Sequence, residues 1–85
     1  MIKIWGKVLS QEKIIKTKTI NVDPSSITFF DMLKDLCSAL NIPTPVLLEK
    51  HVYDFNMFKM CTFKPDDFIE EVVFDKFVLE LLRSK

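Results

Sequence analysis

Eighty-five residues with 48% hydrophobic content, eight phenylalanines, one glycine and a formal charge of zero describe one small globular domain, residues 1–85, with too much core material to be disordered. The balanced charge argues against a general electrostatic grip on nucleic acid or on an anionic membrane surface. No apolar run approaches membrane-spanning length, Met1 to Lys7 does not have the pattern of a signal peptide, and the two cysteines, Cys37 and Cys61, have no neighbour at metal or redox spacing; the expectation is a reduced, cytoplasmic chain.

Ile2, Ile4 and Val8 alternate with Lys3, Trp5 and Lys7, the period-two pattern of a half-buried strand. Ser10-Gln11-Glu12 is a polar break, and the β-branched run from Ile14 to Val22 predicts a second strand, closing a hairpin. Its register is in conflict, because Lys16 and Lys18 share parity with Ile14, Ile20 and Val22; a bulge or an exposed middle would resolve it.

Asp23-Pro24-Ser25-Ser26 has turn chemistry. Thr28 is then placed to cap a helix, with Asp31 at the capping-box position and Ile27 against Met32 as a hydrophobic staple. Phe29, Leu33, Leu36, Cys37 and Leu40 line one face of that helix, Asn41 is suited to end it, and Pro43 prevents its continuation.

Beyond it, Val46-Leu47-Leu48 is a short strand candidate, Val52, Phe55 and Met57 or Phe58 suit one short helix, and Cys61-Thr62-Phe63 suits a brief strand. Lys64-Pro65-Asp66-Asp67 is a turn or helix start. The last segment, residues 70–82, fits both a strand and a helical stripe; Val72, Val73 and Val78 favour strand. No internal repeat, low-complexity segment or linker interrupts the chain.

The element order resembles a β-grasp, or ubiquitin-like, layout, which implies an α+β domain: a mixed sheet packed on one helix, with the final strand beside the first in the middle of the sheet. The alternative is an α+β domain with a C-terminal helix. The resemblance would also suggest a ubiquitin-like carrier, but such carriers act through a C-terminal Gly-Gly, and the only glycine is Gly6 while the sequence ends Arg83-Ser84-Lys85. A second likeness rests on Ile4-Trp5-Gly6-Lys7, Leu40-Asn41-Ile42-Pro43-Thr44-Pro45, Lys50-His51 with Asp54-Phe55 and Phe58, Phe63, Pro65-Asp66-Asp67-Phe68-Ile69-Glu70 and Phe74-Asp75. With these residues the chain resembles a family of small uncharacterised proteins of clostridial and related Firmicutes, a likeness that implies an origin and no activity.

Few residues offer chemistry. His51 is the only histidine, with Asp54 one helical turn on, as a base oriented by a carboxylate would be; Cys37 and Cys61 are the only nucleophiles it could serve. The simpler role for His51 is to bond a local turn. Asp66, Asp67, Glu70 and Glu71 have neither the glycine nor the spacing of a calcium loop, one glycine cannot build a phosphate-cradling loop, and no zinc spacing is present, so no cofactor or metal is expected.

The zero net charge conceals an asymmetry: residues 1–22 carry five lysines against Glu12 and so total +4, which the remainder balances. In a strand Trp5 falls on the side shared by Lys3 and Lys7, and Lys16 and Lys18 are expected to join them from the paired strand. An aromatic flanked by cations can anchor a protein partner or stack a base; with a single arginine and one such ring, protein is favoured over single-stranded nucleic acid. The Phe55, Phe58 and Phe63 region is a candidate homodimer patch. The expectation is a non-enzymatic protein-interaction or regulatory module using Lys3, Trp5, Lys7, Lys16 and Lys18. A small enzyme built on His51, with Asp54 or a cysteine, and a weak single-strand binder are the alternatives.

Overall fold

In a computed structural model, which describes residues 2–23 and 25–82, the chain is an α+β domain. Pro24 of the expected turn and the Arg83-Ser84-Lys85 ending lie outside the described residues. The elements are β1 (Ile2–Ser10), β2 (Lys13–Val22), α1 (Phe29–Leu40), α2 (Glu49–Phe58), β3 (Met60–Phe63), a 3-10 turn (Pro65–Asp67) and β4 (Lys76–Leu82). One sheet of four strands has the order β2-β1-β4-β3. No helix among the described residues is long and apolar enough to cross a membrane.

The final segment is a strand from Lys76 and lies beside β1, which disposes of the C-terminal helix. A continuous apolar run suits a central strand: Phe77, Val78 and Leu79 are all buried. Every pairing is antiparallel, β1–β4 included, where a β-grasp sets its first and last strands parallel. The second helix accounts for the difference, because α2 turns the chain once more before β3 begins.

Val46-Leu47-Leu48 is not a strand. Pro43 and Pro45, just ahead of it, have no N–H to give a ladder. The Val46 N–H goes instead to the Asp67 carbonyl at 2.7 Å, and Leu48 becomes the N-cap of α2.

The hairpin turns at Gln11 and Glu12, both at positive φ (53° and 66°), the twist that a two-residue β-hairpin demands. A register shift between Val8 and Leu9 leaves Ile15 as an extra residue on β2. The parity conflict of the sequence is thus met by both devices at once: a bulge, and a strand exposed from Lys13 to Thr19.

α1 is built as its sequence dictates. The Thr28 hydroxyl accepts the Asp31 N–H at 3.1 Å, and Asn41 closes the helix at φ 58°. Met32, Leu33, Leu36, Cys37 and Leu40 are buried against the inner face of the sheet. Gly6 permits this contact: a Cβ there would stand 2.7 Å from a Leu36 methyl. The core joins Ile4, Val8, Phe77, Leu79, Cys61 and Phe63 from the sheet to α1 and to Phe55 of α2. His51 of α2 stacks on Phe63, so both helices occupy one face of the sheet.

Candidate functional site

Among the described residues, no helix lies on the opposite face of the sheet. Across it, Asn21, Lys3 and Leu82 form one row; Thr19, Trp5, Glu80 and Met60 the next; Thr17, Lys7, Val78 and Thr62 a third. Trp5 stands in the middle row, half-buried. Its Nε1–H donates to the Thr17 hydroxyl, and the Lys7 ammonium lies 4.3 Å from the centre of its ring. The same ammonium pairs with the Glu80 carboxylate at 3.0 Å. Trp5 is therefore held from two sides, and Lys7 is neutralised locally. Lys3 keeps an exposed charge.

Lys3, Trp5 and Lys7 share this face as expected, and Lys16 and Lys18 do not. The register sets Lys16 opposite Val8 and Lys18 opposite Gly6, on the face that carries the helices. Strand parity is the reason: residues paired directly across an antiparallel ladder point the same way, and Val8 and Gly6 point inward. Lys16 has a structural task there, with Nζ 3.0 Å from the Leu40 carbonyl at the C-terminal end of α1, where a cation complements the exposed carbonyls.

His51 is 1% exposed, the one buried polar side chain of the core. Its Nδ1 accepts the Leu48 N–H at 3.0 Å, which assigns the ring proton of the neutral imidazole to Nε2. Nε2 faces Asp67 Oδ2 at 3.4 Å, a contact too long and too poorly aligned to count as a hydrogen bond. Burial acts to raise the Asp67 carboxyl, but the Lys64 N–H at 2.9 Å, the His51 ring and the Lys50 charge outweigh it and hold the group below the usual carboxylate range.

Asp54 and Cys61 line the same shallow groove as His51, together with Lys50, Thr62 and Lys64. The imidazole of this groove has no free lone pair while Nδ1 caps α2, so it is not poised as a base or as a metal ligand. Burial, and then the charge of Asp54, push the Cys61 thiol up to about 12; burial alone does the same for Cys37. At neutral pH only about one molecule in 10⁵ would carry such a thiolate. His51, Asp54 and Cys61 line one groove, and the raised Cys61 thiol is ill suited to nucleophilic attack. Among the described residues no three His, Cys, Asp or Glu side chains are placed to hold a metal ion.

The homodimer region also sorts differently from the expectation. Phe55 and Phe63 belong to the core, and only Phe58, 67% exposed, is at the surface. A short apolar segment beside a helix buries alternate rings, so a cluster in sequence is not a cluster in space.

Sequence reasoning passed over Glu80 and Asp67. Glu80 alternates with Leu79 and Leu81 and so could be placed on the outer face, but its partner Lys7 is 73 residues away. Asp67 looked like a charge at a helix start, and nothing local ties it to His51. Comparison with protein-family models, with curated proteins and with solved structures found no match.

Proposed function

We propose that this domain is a non-catalytic protein-interaction module that receives its partner on the open face of the sheet, around Trp5. The observation that carries this reading is the placement of both helices on one side, which leaves an uncovered face with a single tryptophan at its centre. Tryptophan is among the strongest interface anchors, and a ring already braced by Thr17 and Lys7 loses little freedom on binding. The pairing of Lys7 with Glu80 makes the face mixed in charge, which favours a protein partner of mixed polarity over a nucleic-acid backbone. Two buried, free cysteines favour a reducing, cytoplasmic setting. The likeness to small clostridial and related Firmicutes proteins bears on origin alone.

The test is affinity capture from native-host lysate with wild type, Trp5→Ala and Lys18→Ala, followed by titration of the purified captured protein. Lys18 lies on the other face and serves as the control. A partner that binds stoichiometrically, shifts the emission of Trp5, survives Lys18→Ala and is lost with Trp5→Ala supports the reading. An identical set of captured proteins from wild type and Trp5→Ala would end it.

A further inference from the structure

A second surface stands apart from the sheet face. α2 turns only His51 and Phe55 fully into the core. Tyr53 and Met57 are each 59% exposed, and Leu48 and Phe58 are also exposed. The helix forms a ridge between two shallow grooves, one lined by Leu47, Leu48, Val52 and Tyr53, the other, more polar, by Lys50, Asp54, Phe58 and Lys64. Exposed apolar patches of this kind mark association surfaces.

We infer that this ridge is the interface of a homodimer, α2 packing antiparallel against α2 of a second copy across a two-fold axis. Shape is the first reason: a ridge flanked by grooves is complementary to itself when the second copy is inverted, as a two-fold contact requires. Charge is the second. Glu49 lies at the N-terminal end of α2, and Lys59 follows its last residue, with Nζ 3.3 Å from the carbonyl of Asn56, a residue that lines the first groove with Glu49. Inversion sets Glu49 of each copy near Lys59 of the other and opposes the two helix dipoles. The four charges of residues 49–59, Glu49 and Asp54 against Lys50 and Lys59, cancel, so identical surfaces do not repel.

The free edge of β2 makes the contrast. Lys13, Lys16 and Lys18 are its only charges, and pairing β2 with β2 would set lysine against lysine. The contact centres on Tyr53 and Met57 of α2 and not on Trp5 of β1, so this inference does not depend on the role of Trp5.

Sedimentation of the full chain from roughly micromolar to roughly millimolar protein tests the interface. The wild-type mass is expected to rise from monomer toward dimer across that range. Met57→Glu, a change at an exposed position, should weaken association at least about tenfold with unfolding unchanged. Glu49→Lys and Lys59→Glu should each weaken it several-fold, and the two together should restore it to within about threefold of wild type. Trp5→Ala should leave it untouched. A monomeric mass at every concentration, or a Met57→Glu chain that associates like wild type, overturns the proposal; failure of the charge swap to restore association overturns the two-fold arrangement.

Discussion

The two helices of this domain are built to different ends. α1 has twelve residues, a hydroxyl cap at one end and an αL asparagine at the other, and it buries five apolar side chains. α2 has ten residues, buries His51 and Phe55, and starts at Leu48, which has no oxygen to offer the first turn. What fastens α2 is the ring of His51, which accepts the Leu48 N–H from inside the core and turns its other nitrogen toward Asp67. The needs of the core explain the five buried side chains of α1, with Phe30 alone among its large apolar residues standing exposed. They explain α2 only on its inner side, and the apolar remainder of its surface is the part of the molecule left over for association.

That contrast can be broken at several points. The largest effect is expected from Leu36→Ala in α1. Leu36 is fully buried, and its truncation should cost about 3 kcal/mol and lower Tm by roughly 10–20 °C, read by Trp5 fluorescence during unfolding. Met57→Ser in α2, tested where the chain is monomeric, should stay within about 0.5 kcal/mol of wild type. Equal costs at the two positions would erase the distinction between the helices.

His51→Ala sharpens the comparison from the α2 side. It opens a cavity beside Phe63 and leaves the Leu48 N–H without its side-chain partner, for a loss of about 2–3 kcal/mol. His51→Asn offers a side-chain oxygen to the same N–H and should recover part of that loss. Hydrogen exchange should show the first turn of α2 deprotected in the alanine variant and restored in the asparagine one. If alanine and asparagine were equally damaging, the capping role of the ring would be wrong.

The smallest effect concerns pH. The Asp67 carboxyl lies below its usual range in the folded chain, so as pH falls the unfolded chain takes up its proton first. The stabilisation from Asp67 is complete at neutral pH and is lost below about pH 4, as the solution passes through the folded-state value. Denaturant unfolding of wild type and Asp67→Asn between pH 7 and pH 3 should show a steeper acid loss in wild type, by less than about 1 kcal/mol. Parallel curves would mean that the clasp between the 3-10 turn and α2 carries no charge-dependent stability.

Much of the architecture was legible before any coordinates. The hairpin, the limits and buried face of α1, the short helix around Phe55 and the strand at Cys61–Phe63 each follow from periodicity, capping or turn chemistry within a dozen residues, whereas residues 70–82 fit strand and helix alike and only Lys76–Leu82 form the strand, leaving Val72 and Val73 outside it. Val46–Leu48 misled because an apolar triplet is equally at home as the extended lead-in to a helix. Of the surface residues, Trp5 with Lys3 and Lys7 was legible from the alternation of a single strand. Lys16 and Lys18 were not, because one extra residue at Ile15 decides how parity is carried from β1 to β2.

Local sequence specified most elements of this protein and the apolar faces they must hide, since these arise between near neighbours along the chain; the start of β4 and the use of Val46–Leu48 were not among them. The tertiary structure alone decided that β4 runs antiparallel to β1, that Lys7 meets Glu80, that His51 faces Asp67 and that Tyr53, Met57 and Phe58 are left at the surface. Each of these depends on residues far apart in sequence meeting through a register or a helix orientation, and such meetings are chosen by the packing of the whole chain.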